Sequence, residues 1–423
     1  MKKQCIRIGI GHFAFLAAAI ILLVCSYLIP TGRLQEHMAE SVGEYVQEGS
    51  YPSVYEGPIG RLDNYSEAIM VSTAITGSGN AWKDAFASPS YVCKKDGDSP
   101  VDAVIEQATG ANAVKIKQRE YARYWHGYVI WLKPLLYFFN LQELKIMMQM
   151  GFGMLFGVVF TLLWKRTDWK MAVSFCIAML LVCVQAVPYS LQYLNMFVLT
   201  LAGMLILLIF YEKIQKKDAF FVFFWIAGMC TGYFDLLTTP VLVVGMLLIL
   251  KVILDDKEVP WRKNILSGFC WCAGYGSMWA SKWMIGSLVL GKNVIEDAVN
   301  KVEDRTSAEA VGVKVNFSDL WTVLTDLYTW PFMKKMLILA LVFVAAMILI
   351  AVIKGGKAVV LKNAKKYLLL LPVSLLPVVW LLVLRNHTFI HYWFTYRNLA
   401  VFFWGILAYV AALSRSLQRA GNE

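Results

Sequence analysis

The sequence predicts an all-α, polytopic membrane protein with about ten transmembrane helices and a long first extracytoplasmic loop. Three observations carry that prediction. The 423 residues are 58% hydrophobic, with a mean hydropathy of +0.56, above the roughly 45–50% apolar content of soluble domains. Only 16% of the residues are charged, and they gather between apolar runs. Ten of those runs approach the ~20 residues that a spanning helix needs. They lie near 11–29, 142–164, 171–189, 194–211, 219–233, 238–254, 265–290, 337–353, 368–384 and 398–413.

The formal charge of +11 reports topology in such a chain before it suggests a nucleic-acid partner, and none is expected. Lys2, Lys3 and Arg7 precede the first run; Lys165, Arg166 and Lys170 follow the second; Lys213, Lys216 and Lys217 follow the fourth. Lys257, Arg262 and Lys263 follow the sixth, Lys354, Lys357, Lys362, Lys365 and Lys366 the eighth, and Arg415 and Arg419 the tenth. Basic flanks at every even gap predict a plasma-membrane protein with both termini cytoplasmic. The connections 30–126, 234–237, 291–336 and 385–397, and the turn 190–193, then face outward. The first run is long and no A-x-A site follows it, so it reads as a retained helix, not a cleaved signal peptide. Of the eight cysteines only Cys93 falls clearly in an outer loop, so no disulfide framework is expected.

Residues 1–423 read as one membrane domain. The first loop, 30–126, is too long for a simple connector and is dotted with tyrosine and tryptophan. Within it, 64–75 and 101–108 look helical, while 77–80 and 94–100 look like turns. The stretch 127–139, following Tyr124, Trp125 and His126 and containing Trp131, Lys133 and Pro134, reads as a helix lying in the outer interface. Residues 291–336 form a second outer loop.

Chemistry concentrates in Gly57-Pro-Ile-Gly-Arg-Leu-Asp-Asn-Tyr-Ser-Glu67. Two glycines and a proline bend the chain, and Arg61, Asp63, Asn64 and Glu67 follow within seven residues. A helix beginning near Asn64 sets Asp63 and Glu67 one turn apart. Two readings stay open. Asn64-x-x-Glu67 has capping-box spacing, with Asp63 as an alternative N-cap. Partial desolvation beside a membrane also raises a carboxyl toward neutrality, where Asp63 serves as a general base.

The predicted topology brings Arg123, His126, Asp235, Lys282, Arg385, His387, His391 and Arg397 to the same side. Lys282 lies within a predicted span, where a charge costs about 2.5–3.5 kcal/mol on insertion scales. It either snorkels beside Trp279 and Trp283 or holds a phosphate at the outer leaflet. Asp235 is its counter-ion or a second polar ligand. His387 and His391, spaced i, i+4, can place two imidazoles on one divalent metal, although no third ligand is evident. With Arg385 and Arg397 they can instead bind an anionic phosphate, or sit as interfacial cations in an aromatic belt. Arg123 and His126 carry the same choice. Asn64-Tyr-Ser66, Asn316-Phe-Ser318 and Asn386-His-Thr388 are glycosylation sequons.

No Walker A loop or G-x-S-x-G is present, and no cytoplasmic connection is long enough to hold a catalytic domain. Chemistry is therefore expected outside, on a donor already carried across the membrane. Here Arg61-Leu-Asp-Asn64 resembles the acidic motif of the integral-membrane glycosyltransferases of the GT-C fold, the protein O-mannosyltransferase-like superfamily. The resemblance spans the topology of the whole chain but only four residues of motif. It implies a polyprenyl-phosphate sugar donor and a glycan, lipid or protein acceptor; no cofactor is expected, apart from the divalent metal that His387 and His391 could hold. The resemblance makes Asp63 the general base; Arg61, Asn64, Glu67, Asp235, Arg123 and His126, gathered on the same side by the predicted topology, are expected to support it or face the acceptor. The lipid phosphate would sit among Lys282, Arg385, His387, His391 and Arg397. Two departures stand out: the acid comes some thirty residues after the first helix, and Asn64 replaces the second acid of a pair. A lipid or saccharide transporter or flippase, and a non-catalytic membrane scaffold, are the rival readings. A transporter predicts internal repeats and broken helices, and the sequence shows no strong repeat.

Overall fold

A computed structural model describes residues 2–415 apart from Asp96 and 256–258. Asp96 in the 94–100 turn, and Lys257 and Arg419 among the basic flanks, therefore lie outside the described residues; Lys2 and Lys354 are described by backbone alone. The chain is mostly helical, at 77%. The first helix, α1 (Lys2–Tyr27), leads into a cap built from α2 (Gly32–Glu48), α3 (Asn64–Ala74), α4 (Ala81–Ala87), β1 (Pro89–Cys93), α5 (Pro100–Thr109) and β2 (Ile116–Glu120). Next come the apolar helix α6 (Val129–Phe138) and the helices α7 (Leu141–Arg166), α8 (Trp169–Leu180), α9 (Leu191–Lys216), α10 (Phe220–Phe234), α11 (Pro240–Leu254) and α12 (Trp261–Leu290). A second polar segment holds α13 (Val294–Thr306), the short strands β3 (Glu309–Ala310) and β4 (Val313–Lys314), and α14 (Phe317–Asp326). The chain closes with α15 (Pro331–Ile350), α16 (Gly356–Lys366), α17 (Leu370–Ser374), α18 (Leu376–Val383), α19 (Arg385–Ile390), α20 (Tyr392–Thr395) and α21 (Ala400–Leu413).

The ten apolar runs are largely helical, with breaks within 171–189 and 368–384; in hydrocarbon, backbone polar groups must be satisfied within the segment. Five stretches are long and apolar enough to cross a membrane: α1, α7, α9, Pro331–Ile353 and Tyr392–Leu413. A sixth arises if Gly356–Lys366 and Leu370–Val383, bent by 52°, act as one span. The protein is a multi-pass, predominantly α-helical membrane protein. The expected helix over 171–189 breaks at Leu180, where Cys183 turns left-handed (φ 53°) and a 3-10 helix, Val184–Tyr189, carries Pro188. Large apolar side chains such as Phe13, Met154 and Leu341 point outward, as a lipid-facing surface requires.

Helix α7 starts on a capping box, Asn140 with Glu143, and ends on Lys165 and Arg166, each matched to its end of the helix dipole. Helices α10 and α12 press together through glycine. A Cβ on Gly228 would lie 2.1 Å from the Trp271 carbonyl oxygen, and one on Gly274 would lie 2.2 Å from that of Trp225. Small residues at such crossings let two backbones approach closely.

The cap holds the departures from an all-helical expectation. Strands β1 and β2 pair antiparallel, from Pro89 opposite Glu120 to Cys93 opposite Ile116. Helix α2 buries Leu34, Met38, Ser41 and Tyr45 along one face. The expected helices at 64–75 and 101–108 are α3 and α5, the latter opened by a Ser99–Asp102 capping box. The stretch 127–139, expected as a helix, folds as α6 over Val129–Phe138, with Pro134 inside it.

Candidate functional site

The segment before α3 is shaped by backbone constraint. Gly57 adopts φ 81°, and a Cβ there would lie 2.4 Å from the Trp330 ring, so only glycine fits. The chain then makes a 3-10 turn, Pro58–Gly60. Val54 donates to the Gly60 carbonyl (3.0 Å) and Leu62 to that of Pro52 (2.8 Å), folding the loop back on itself. Arg397, fully buried between Tyr193 and Tyr396 (4.4 and 5.1 Å to the ring centroids), donates to the Ile59 carbonyl (3.1 Å) and to that of Trp393 (2.8 Å). Arg397 therefore anchors the turn.

The turn delivers Asp63 to the N-cap of α3. Its Oδ1 accepts from the Ser66 amide (3.0 Å) and its Oδ2 from the Ser66 hydroxyl (2.9 Å). The side chain is only 2% exposed. Burial pushes its pKa up from 3.8 to about 6; the Ser66 bonds pull it back and the neighbouring Glu67 charge raises it further. Asp63 is thus both a cap and a carboxyl that titrates near neutrality.

Glu67 has a different job. Fully buried, it accepts from the Tyr45 hydroxyl (3.1 Å) and the Leu191 amide (2.9 Å), and pairs with Lys145 Nζ (3.0 Å). Lys145 also pairs with Glu44 (2.8 Å). One carboxylate thereby ties α2, α3, α7 and α9 together. The capping box expected from Asn64-x-x-Glu67 does not form, because Asp63 takes the cap and Glu67 turns into the core. Asn64 is buried and donates to Glu48 (2.9 Å) and to the Gly49 carbonyl (3.1 Å).

Around Asp63 the surface is aromatic. The half-buried Arg61 guanidinium lies 5.1 Å from the Trp393 ring centroid and forms no ion pair among the described residues. Tyr51 stacks on Tyr65 at 6.1 Å and meets Trp393 edge-on at 5.7 Å. Both tyrosines are exposed, at 45% and 40%. The Tyr51 hydroxyl is pushed up to about 12 by burial and then by the nearby Asp63 charge.

Several predicted residues stand apart from this group, each with its own partners. Lys282, fully buried, donates to the Ala85 and Phe86 carbonyls (3.2 and 3.0 Å) and lies over the Phe86 and Trp125 rings. It caps the C-terminal end of α4, where a cation complements the dipole, so it neither snorkels nor faces the Asp63 cluster. Asp235 is not its counter-ion. It accepts from the Thr238 amide (2.8 Å) and the Tyr275 hydroxyl (3.2 Å), closing the turn into α11. Arg123 pairs with Asp297 (3.1 Å) over the Tyr121 and Tyr124 rings. His126, at φ 53°, is buried between the Tyr128 hydroxyl (2.8 Å) and the Tyr121 carbonyl (2.9 Å). Burial, and then the Lys282 charge, push it down to about 3, so it stays neutral.

A second group also meets Trp393. His391 meets the Trp393 ring edge-on at 5.5 Å and lies 4.8 Å from the His387 ring. His387 bonds the Leu237 carbonyl (2.8 Å), and Arg305 reaches His391 Nε2 (3.4 Å). Arg385 packs over Phe317 at 4.3 Å, away from the pair. Among the described residues no group of three or more His, Cys, Asp or Glu is placed to hold a metal ion.

Sequence reasoning missed Lys145, Tyr193 and Arg305. Lys145 left a signal, a lone lysine one turn into an apolar run. Arg305, in a segment charged on all sides, left none. Compared with protein-family models, curated proteins and solved structures, the chain matches none.

Proposed function

We propose that this protein is an integral-membrane glycosyltransferase of GT-C type. It moves a sugar from a polyprenyl-phosphate donor to a glycan, lipid or protein acceptor on the outer face of a plasma membrane. The observation that carries the reading is Asp63, a buried carboxyl titrating near pH 6 beside an exposed aromatic wall and a half-buried arginine without an ion-pair partner. Near neutrality most of such a carboxyl is ionised, yet basic enough to take a hydroxyl proton. The tyrosine faces suit the apolar face of a sugar ring.

In the proposed step the acceptor oxygen attacks the anomeric carbon while Asp63 takes its proton. The bond from that carbon to the phosphate oxygen breaks, and the polyprenyl phosphate leaves with the electron pair. Arg61 is the cation best placed to meet the leaving charge, replacing Lys282 and Arg397, which are fully buried and hold backbone carbonyls. All ten helical runs cross the membrane in this reading, the shorter ones within the bundle, and both termini are cytoplasmic. Incubating the purified protein with radiolabelled polyprenyl-phosphate sugars and membrane lipid extract tests the proposal by thin-layer analysis. Transfer of label from the donor supports it. No turnover with any of several donors, together with uptake of a labelled saccharide into vesicles, would favour the transporter.

A further inference from the structure

Helices α13 and α14, in the second polar segment, each leave an apolar edge exposed. On α13, Val294 and Ala298 are buried. About a quarter-turn round the helix, Ile295, Val299 and Val302 are 42%, 44% and 51% exposed. On α14, Leu320 is buried, while Phe317 and Trp321, one turn apart, are 56% and 70% exposed. In both helices the protein covers one side of an apolar stripe and leaves the other side bare.

Three tethers set the depth of these edges. Helix α13 folds back beside the last turns of α12: the Val294 amide donates to the Ser287 hydroxyl (3.0 Å), and a Cβ on Gly286 would lie 3.7 Å from Val294. Leu288, in the same stretch of α12, is 84% exposed. Phe317 packs against the Arg385 guanidinium at 4.3 Å, two residues past the exposed Val383 that ends the apolar α18. Helix α14 then passes through a 3-10 turn, Leu327–Thr329, into Pro331–Ile353, a stretch long and apolar enough to cross a membrane. Both helices therefore lie level with the ends of apolar helices, where hydrocarbon gives way to headgroups. Aromatic side chains favour that layer, and amphipathic helices lie in its plane.

We propose that α13 and α14 lie on the bilayer surface, with Val299, Val302, Phe317 and Trp321 dipped into the boundary between headgroups and acyl chains. The partner is lipid because each tether ends on an apolar helix whose exposed side chains already face it. Residues 291–330 carry seven acidic and four basic side chains, so the hold is apolar and owes nothing to anionic headgroups. Arg305 of α13 reaches His391 (3.4 Å), and His391 meets the Trp393 ring. The contact thereby sets the height of the aromatic wall beside Asp63 above the bilayer.

Spin-label relaxation on the full chain in nanodiscs tests this without any transfer assay. A genetically encoded nitroxide replaces Val302, Trp321, Lys95 or Leu341, one at a time, and the ratio of oxygen to nickel-chelate collisions is read. Lys95, in the cap, is the water reference, with its side chain 84% exposed, and Leu341, on α15, is the lipid reference, 67% exposed. All four positions are exposed, so each labelled chain keeps its fold. The ratios at 302 and 321 should exceed that at 95 by about threefold or more, and exchanging zwitterionic for anionic lipid should leave them unchanged. A ratio at 302 or 321 no higher than at 95 would overturn the proposal and leave these edges to a protein partner. A high ratio found in anionic lipid alone would overturn the apolar hold.

Discussion

Replacing Asp63 by Asn should stabilise the fold at neutral pH while removing its proposed chemistry. The folded state raises the Asp63 pKa from 3.8 to about 6, a shift of about two units. At about 1.4 kcal/mol per unit, the ionised carboxylate costs the folded protein about 3 kcal/mol. The sign follows from proton counts. Between the two pKa values the folded chain holds a proton that the unfolded chain has released, so stability falls as pH rises through this window. Above about pH 6 the whole cost is present; below about pH 4 it is gone. Asparagine removes the charge and keeps an acceptor for the Ser66 amide, at a loss of about 1 kcal/mol for the weakened bond. The variant should therefore be about 2 kcal/mol more stable than the parent at pH 8 and no more stable at pH 4. Denaturant unfolding in mild detergent at both values measures the difference. A variant less stable than the parent at pH 8 would refute the burial argument, since it would mean that the charge is compensated by a partner.

Two further substitutions separate architecture from chemistry. Glu67→Ala should destabilise by about 3–5 kcal/mol, because it strips a buried ion pair and leaves the Leu191 amide and Tyr45 hydroxyl unmatched. Unfolding midpoints check this, and a loss below 1 kcal/mol would contradict the role. Lys282→Met should cost about 2 kcal/mol by baring the Ala85 and Phe86 carbonyls. Donor affinity at the folded protein, measured by titration, should stay unchanged, and a tenfold loss would restore Lys282 as a phosphate ligand.

The helices were legible because hydropathy acts on the whole segment: a run of apolar residues in a bilayer has few alternatives to a helix. The strands β1 and β2 were not, being five residues each and mixed in polarity. Helix α2 left its trace in Leu34, Met38, Ser41 and Tyr45, a helical spacing masked by the polar residues between them. At the site, local relations survived and distant ones did not. That Asp63 caps a helix follows from its neighbours. That Glu67 meets Lys145 depends on how α3 docks against α7, which no local pattern encodes. Topology assigns a residue to a side of the membrane but not to a position within that side. Asp235, Arg123, His126 and Lys282 were therefore grouped with Asp63, yet each is occupied elsewhere by a partner of its own.

The most direct test of Asp63 as the base is the pH profile of sugar transfer from a labelled polyprenyl-phosphate donor, run on the parent and on D63N. The account predicts parental kcat/KM that rises with pH to a plateau, half-maximal near pH 6, and no transfer by D63N at any pH although it remains folded. Transfer by D63N at the parental rate, with the same profile, would contradict it.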